Sequence, residues 1–382
     1  MSTPRRIPAV HVAAFMILAA CSASSAAPGP LVLVGGGLDE SNEPVYREIL
    51  GLRAGPRPIC VLPTASDEPQ QAADRFAARF ERYGGPGTAT VVRLKPGGAD
   101  KPKIARRLEQ CGGFFFLDGD PSRIVDTLRG GGRTSLAEQA ILRVHRRGGV
   151  IAGSNAAAAA MSDPMIAGET GSDDALRHGV SSSAGEAGLW VRDGMGFLDA
   201  GLTDPHHISA GRTGRLLVAL AALDGVDRGF GIDDDTALVV DGTRARVVGS
   251  SQAIVVEKVS AGSGRLRLAG ARFRVLVLGN GDGYHLDDRT AFVDAGKNVL
   301  RLPDRVPTPP DGPWLASGLP LFLVELSVSS ASEATFESRG FRFRLSKEAG
   351  FEARAWELPD GRHLPHGFTA GWFLLDVSEA TP

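Results

Sequence analysis

Short apolar runs alternate with helix-like stretches from Leu31 onward, and this alternation is the feature that most constrains the fold. The strand-like runs lie at 31–34, 59–62, 88–94, 114–117 and 149–153. Helix-like stretches separate them, at 41–53, 68–83, 101–110, 121–129 and 135–146. Because such alternation is typical of parallel strands joined by helices, the sequence predicts a three-layer α/β fold with a doubly wound, mostly parallel sheet. Functional residues of such sheets follow the carboxyl ends of strands.

The chain changes character beyond about residue 236, where short strand-like runs follow one another with tight turns between them. Residues 302–320 are rich in proline and glycine and are predicted to form a connecting loop. Residues 321–376 alternate apolar and polar side chains, which predicts a further β-rich element. We therefore predict an α/β domain over 28–260, a β extension of it over 261–300, and a linker with a β-rich C-terminal element over 301–382.

The first 27 residues are predicted to be a targeting segment. Arg5 and Arg6 precede the run Ile7 to Ala20, which is apolar apart from His11 and is short for a membrane span. The run Leu18-Ala19-Ala20-Cys21 resembles a bacterial lipobox, so we predict export and lipid attachment at Cys21. The anchor would lie in the outer membrane if the cell has one, since Ser22 is not the aspartate associated with inner-membrane retention. The alternative is an ordinary signal cut after Ala26-Ala27, giving a periplasmic or secreted protein.

Charge and cysteine content exclude several functional classes. Lys and Arg total 42 against 44 Asp and Glu, so no basic excess predicts a nucleic-acid partner. Cys60 and Cys111 are predicted to be small core residues beside strands, and an exported protein would also permit a disulfide between them. Neither belongs to a metal-ligand pattern, and we expect neither a metal nor a cofactor.

Two groups of side chains could suggest a metal but have simpler interpretations. His363 and His366 lack a carboxylate or cysteine at motif spacing and are predicted to be surface histidines. The run Asp233-Asp234-Asp235 is predicted to form a turn with structural hydrogen bonds rather than a cation site.

The segment from Gly149 to Ile166 carries the strongest chemical signal. A strand enters Gly153, the chain turns at Ser154-Asn155, and an alanine-rich helix follows. This is the sequence pattern of a nucleophile elbow, in which the turn residue is exposed above the start of a helix. The alternative is a plain strand-to-helix turn lined with alanine for close packing.

Four segments in order resemble the cyanophycinase family of serine peptidases, which includes related aspartyl dipeptidases. They are the elbow just described, the run Phe115 to Pro121, the run Thr203 to His207 with its trailing arginines, and Gly231 to Ala237. The resemblance covers roughly residues 31–290, more than one short motif would match by chance. It implies a class I glutamine amidotransferase-like fold, a Ser–His–acid mechanism and a tendency to dimerise.

The resemblance also implies roles for individual residues. Aligned on Met161-Ser162-Asp163, the nucleophile position falls on Asn155, and His206 matches the base. Spacing from the elbow puts the acid at Asp173, with Glu169 and Asp174 as alternatives. A peptide such as a cyanophycin-like β-aspartyl-arginine unit is the implied substrate, with four residues matching substrate-binding positions: Asp120, Asp204, Arg212 and Arg215.

The departures from the family pattern predict impaired catalysis. Asn155 has no proton that a base could remove to give an activated nucleophile. Asp118 replaces a glycine, and its charge would oppose a developing oxyanion if it pointed inward; Pro121 and Pro205 each replace a glutamine. We therefore expect a catalytically impaired homologue that retains peptide binding. The alternatives are an active hydrolase that uses Ser154 and a non-catalytic scaffold lipoprotein.

Overall fold

The computed structural model describes residues 27–95, 97–300, 307–308, 312, 318–356 and 367–380. The predicted leader with Cys21, and the pair His363 and His366, lie outside the described residues. Among the residues that are described, no helix is both long and apolar enough to cross a bilayer.

The first half of the chain alternates strands and helices as predicted. The strands are β1 (Leu31–Val34), β2 (Ile59–Leu62), β3 (Ala89–Val91), β4 (Gly113–Phe116) and β5 (Val150–Ser154). The helices between them are α1 (Glu43–Gly51), α2 (Pro69–Gly84), α3 (Pro102–Leu108), α4 (Pro121–Leu128) and α5 (Leu136–Arg146). Their starts follow local chemistry: α1, α2, α3 and α4 have proline in the first turn, and Asn42 and Ser135 cap α1 and α5 with their side chains.

These strands form one side of a nine-stranded sheet in which β3, β2, β4, β5 and β1 are parallel neighbours. Four antiparallel strands extend the sheet beyond β1, which confirms the α/β prediction and adds an antiparallel half. They are β11 (Thr236–Asp241), β12 (Arg244–Gly249), β15 (Gly283–His285) and β16 (Ala291–Phe292).

Both faces of the parallel strands are buried, and alternate residues enter different cores. Val32 and Val34 pack in the cluster with Tyr46 and Phe80 of α1 and α2. Leu31 and Leu33 face the opposite cluster, because side chains of a strand alternate between faces. Burial on both faces explains why these strands are continuous apolar runs.

A second nine-stranded sheet contains most of the remaining strands. Its strands are β9 (Leu202–Asp204), β10 (Arg228–Ile232), β13 (Ala253–Ser260), β14 (Arg272–Leu278), β17 (Asn298–Val299), β18 (Glu333–Ser338), β19 (Phe341–Lys347), β20 (Ala353–Ala355) and β21 (Thr369–Glu379). Their main order in the sheet is β17, β20, β21, β14, β13, β10 and β9, with β19 pairing β21 and β18 pairing β19. The pairing of β13 with β14 carries this sheet across the boundary predicted at residue 260, so the C-terminal strands share a sheet with earlier ones.

Short elements complete the described chain. A three-stranded sheet contains β6 (Met165–Ile166), β7 (Val180–Ser181) and β8 (Leu189–Arg192). The remaining helices are α6 (Ala156–Ala159), α7 (Ser172–His178), α8 (Thr213–Ala222) and α9 (Gly318–Val328). The second sheet buries α8 and α9 in one cluster, with Leu216, Leu220 and Phe322 fully or almost fully inaccessible.

Cys60 and Cys111 form a disulfide, which the sequence left open. Cys60 lies on β2 and Cys111 two residues before β4, and their Cα atoms are 5.7 Å apart. Both residues are buried, as predicted for core positions.

Candidate active site

The turn between β5 and α6 has the backbone of a nucleophile elbow, with Asn155 at its tip. Asn155 has φ 51° and ψ −117°, and its N–H donates to the Val34 carbonyl at 2.9 Å. A Cβ at Gly153 would lie 2.8 Å from the Ala157 carbonyl, so the turn tolerates only glycine there. Asparagine is among the non-glycine residues that best accept positive φ, which explains how the geometry is kept without serine.

Asp118 points into this turn. Its Oδ1 accepts hydrogen bonds at 2.6 Å from Nδ2 of Asn155 and from the backbone N–H of Gly119. Gly119 has φ 143°, and a Cβ there would collide with the Ala65 carbonyl. The amide oxygen Oδ1 of Asn155 is buried and has no hydrogen-bond partner within the described part of the chain.

His206 lies on the other side of the loop that follows β1. Its N–H donates to the Gly35 carbonyl at 2.7 Å, while Asn155 bonds the preceding Val34. The imidazole covers Gly36, where a Cβ would come within 2.6 Å of Nε2. The last residue of β1 and the two glycines after it therefore bring the elbow and the histidine together, and Gly36 leaves the space that the ring occupies.

The carboxylate beside His206 is Asp234, which bonds the ring Nδ1. The hydrogen bond that His206 donates to Asp234 raises the pKa of His206 above its ordinary value, against the opposing effects of burial and of Arg212. Burial acts to raise the pKa of Asp234, but the hydrogen bond and charge of His206 outweigh it and lower that pKa. The pair thus has the geometry of a base held by an acid.

The structure does not bring the predicted acid, Asp173, to His206. Asp173 lies in the first turn of α7 and accepts a hydrogen bond from Nε of Arg339 at 2.9 Å. Of the two alternatives, Glu169 pairs with Arg212 and Asp174 lies 3.9 Å from Arg177. Spacing along the chain could not identify the acid, because Asp234 reaches His206 from the turn between β10 and β11.

The neighbours of Asp234 have the structural role that the sequence predicted for the whole run. Asp233 accepts hydrogen bonds from the backbone N–H groups of Ile208 and Ser209. Asp235 accepts hydrogen bonds from the backbone N–H of Asp39 and from the side-chain Nδ2 of Asn42. A signal for Asp234 was present, since it lies within the run Gly231 to Ala237 that carries part of the family resemblance.

Two of the four predicted substrate-binding residues, Asp204 and Arg215, form a buried ion pair. Asp204 is fully buried, accepts a hydrogen bond from Nε of Arg215 at 2.9 Å and lies 3.0 Å from Nδ1 of His207. Burial acts to raise the pKa of Asp204, but the charge of Arg215 and the His207 hydrogen bond hold it well below its ordinary value. Thr213 Oγ1 lies 3.0 Å from the other ring nitrogen of His207, which completes a closed network.

Of the other two, Arg212 is also buried and Asp120 is partly exposed. Arg212 donates to the Pro205 carbonyl at 3.0 Å and pairs with the exposed Glu169. Asp120 caps α4 by accepting the Ser122 N–H at 2.8 Å, and nearly half of its side chain remains exposed.

An open cleft of about 460 Å³ adjoins the elbow. Ser154, the alternative nucleophile, lines it but is only 4% exposed at the end of β5. Asp118 and three further charged residues also line this cleft: Asp67, Glu68 and Arg75. Within the described ranges, no cluster of histidine, cysteine and carboxylate side chains could hold a metal ion.

Comparison with known proteins gives a consistent set of relatives. No protein-family profile matches the chain. The cyanophycinases of Trichormus variabilis and of a Nostoc species are each 30% identical to it over 277 residues, which is 68% of this chain and 87% of theirs. The cyanophycinase of Geminocystis herdmanii is 29% identical over 240 residues, covering 59% of this chain and 82% of its own.

Two solved structures are similar at lower identity. A peptidase from an acI-B1 Actinobacterium is 21% identical with a TM-score of 0.46, and the match covers 59% of this chain and 89% of that one. A putative Peptidase E protein from Listeria monocytogenes is 15% identical with a TM-score of 0.39, covering 58% of this chain and 99% of that one.

Proposed function

This chain belongs to the cyanophycinase-like family of serine peptidases, and from that premise we propose that it binds aspartyl-arginine peptides without hydrolysing them. The observation that carries the proposal is the elbow itself. Its backbone has the geometry that presents a nucleophile, but the presented side chain is the amide of Asn155. The family relationship supports a peptide as the ligand, while the residue at the tip removes the group that would attack it.

Without a nucleophile at position 155, the histidine–carboxylate pair has no group to deprotonate. The His206–Asp234 pair can accept a proton, yet an amide offers no proton of useful acidity at neutral pH. Asp118 adds a second obstacle. Its carboxylate accepts a hydrogen bond from Asn155, so its negative charge lies close to the place where a tetrahedral oxyanion would develop and would repel it. Serine at position 155 would remove the first obstacle and leave the second.

The charge of the cleft supports peptide binding. Asp67, Glu68 and Asp118 line it, and Arg75 is the one cation among the described residues that line it. Carboxylates suit an arginine side chain, because a guanidinium forms charge-assisted and often paired hydrogen bonds with them. Asp204 and Arg215 are buried and bond each other, so neither is open to the ligand.

The proposal includes export. The basic and apolar leader with its lipobox supports lipid attachment at Cys21, and the Cys60–Cys111 disulfide is a bond that persists in oxidising compartments. Cleavage by signal peptidase and incorporation of labelled fatty acid, lost in Cys21→Ala, would test the anchor. A water-soluble mature protein that begins after Ala27 would instead support the ordinary signal.

Peptide binding is tested by calorimetric titration of β-aspartyl-arginine into the purified mature chain, with release of arginine followed in parallel. We expect binding without turnover, and weaker binding in Glu68→Gln. Glu379→Gln is the matched control, because Glu379 lies at the end of β21 and does not line the cleft. Absence of binding by the folded wild type would contradict the proposal and favour a scaffold.

Catalytic impairment is tested by Asn155→Ser. We expect hydrolysis to rise by about a thousandfold or more over the wild type, since loss of a nucleophile costs rates of that order or more. Adding Asp118→Gly should raise it further by removing the opposing charge. Hydrolysis by the wild type that Ser154→Ala abolishes would show that Ser154 is the nucleophile and that the proposal is wrong.

A further inference from the structure

The backbone at Asn155 holds Cβ and the next backbone nitrogen in nearly the same plane. Viewed along the Cα–C bond of an L-residue, Cβ lies about 120° from the residue's own nitrogen. With ψ at −117°, the nitrogen of Ala156 is therefore within a few degrees of eclipsing Cβ. Non-glycine residues rarely adopt such a ψ, because sterics confine them to the helical and extended regions.

This eclipsed arrangement is what a five-membered ring through these atoms requires. We propose that Asn155 is a modification site, at which the folded chain deamidates itself through a succinimide. The proposal needs no peptide ligand and is independent of the proposed function.

The reaction balances with water as the only added reactant. The Ala156 nitrogen attacks Cγ of Asn155 and loses its proton, while the Cγ–Nδ2 bond breaks and the amide leaves as ammonia with that proton. Water then adds to either carbonyl of the succinimide and opens the ring to aspartate or isoaspartate. The net change is asparagine plus water giving the acid plus ammonia.

The groups that react are lightly restrained. Ala156 is the first residue of α6, and its N–H has no hydrogen-bond partner in the described part of the chain. Oδ1 of Asn155 is buried without a partner, and the bond from Nδ2 to Asp118 is the contact that holds the side chain. Pre-alignment of two reacting groups can supply large rate factors when the geometry is near that of attack.

Other asparagines of the chain provide internal comparisons. Asn42 has ψ 65°, its Oδ1 accepts the Val45 N–H and its Nδ2 donates to Asp235, so its amide is held at both ends. Asn280 precedes Gly281, the least crowded following residue, and is expected to react first in an unfolded chain. In the folded chain the Oδ1 of Asn280 accepts the Gly249 N–H at 3.1 Å.

Folding should therefore change which asparagine deamidates first, from Asn280 in the unfolded chain to Asn155 in the folded chain. The rate of deamidation at each asparagine can be measured in the same chain, both folded and unfolded.

The product would place a carboxylate beside Asp118 and make the elbow more negative.

The experiment incubates freshly purified protein at neutral pH, folded and in guanidinium, and follows each asparagine by peptide mapping in isotopically heavy water. We expect Asn155 to yield succinimide and then aspartate with isoaspartate about tenfold faster, or more, in the folded chain. Asn280 should lead only in guanidinium. The control Asn155→Gln should keep its amide, because its longer side chain cannot close the five-membered ring.

Three results would overturn the inference. The first is folded protein in which Asn280 has reacted and Asn155 is intact, and the second is an equal rate at Asn155 in the folded and unfolded chain. The third is aspartate at position 155 that forms without succinimide or isoaspartate. The first two comparisons use the wild type alone and do not depend on whether Asn155→Gln folds. Peptide affinity of the fresh protein, measured separately, stays unaffected by any of these outcomes.

Discussion

His206 and His207 are adjacent in the chain but belong to two different regions of the molecule. His206 faces the elbow and Asp234, in a pair whose side chains are 25% and 40% exposed. His207 and Asp204 are fully inaccessible and close a network with Arg215 and Thr213. The first region is open and incompletely bonded, as a site for ligands must be, whereas the second has satisfied its polar groups internally.

Adjacent polar residues of one segment can therefore have different roles, one in an open site and one in a buried network. His206 has φ 49°, and its ring lies against Gly36, whereas the ring of His207 lies against Gly231. The buried network fixes the segment, and the exposed ring then occupies a defined place above Gly36. Substitutions matched between the two regions should separate these roles.

The largest expected effect is that of Asp204→Asn on stability. The substitution leaves the guanidinium of Arg215 buried without its counter-charge, and breaking such a pair costs about 3–5 kcal/mol. Asp234→Asn makes the same chemical change at a half-exposed pair and should cost about 1 kcal/mol or less. Urea unfolding of both variants measures this, and equal losses would erase the distinction between the regions.

The next effect is the response of the buried region to acid. Because the pKa of Asp204 is lowered on folding, its contribution is present above the unfolded pKa of about 3.9 and is lost as pH falls through the lower folded pKa. The stability difference between wild type and Asp204→Asn should therefore be constant near neutrality and shrink below about pH 4. A difference that shrank instead between neutral and alkaline pH would assign the effect to another group.

The smallest effect is the response of the open region near neutrality. Because the pKa of His206 is raised on folding, its contribution is present below about pH 6.5 and is lost as pH rises through the higher folded pKa. Partial exposure limits it to about 1 kcal/mol or less. A proton NMR titration, with the His206 signal assigned by its loss in His206→Gln, should give His206 a midpoint above the usual value for histidine. The midpoint should fall in Asp234→Asn. An unchanged midpoint in that variant would show that Asp234 is not the partner that raises the pKa of His206.

Sequence reasoning reached the fold and the elbow but only part of the site. The α/β class followed from the alternation of apolar runs and helices, and Asn155 and His206 followed from the resemblance. Asp173 was placed by its distance along the chain from the elbow, and the structure puts it against Arg339 instead. The disulfide also depended on distance in space, because Cys60 and Cys111 lie 51 residues apart and meet only when β2 pairs with β4.

The amino-acid sequence alone specifies the period of the apolar residues, the glycine at position 153 of the turn and the identity of the residue at the elbow tip. These are local properties, set by sterics and side-chain chemistry within a few residues. The tertiary structure alone decided that Asp234 rather than Asp173 holds His206, that Asp204 and Arg215 are buried together, and that Asp118 contacts Asn155. Those contacts join residues from different strands, turns and helices, so they exist only once the fold has brought those elements together.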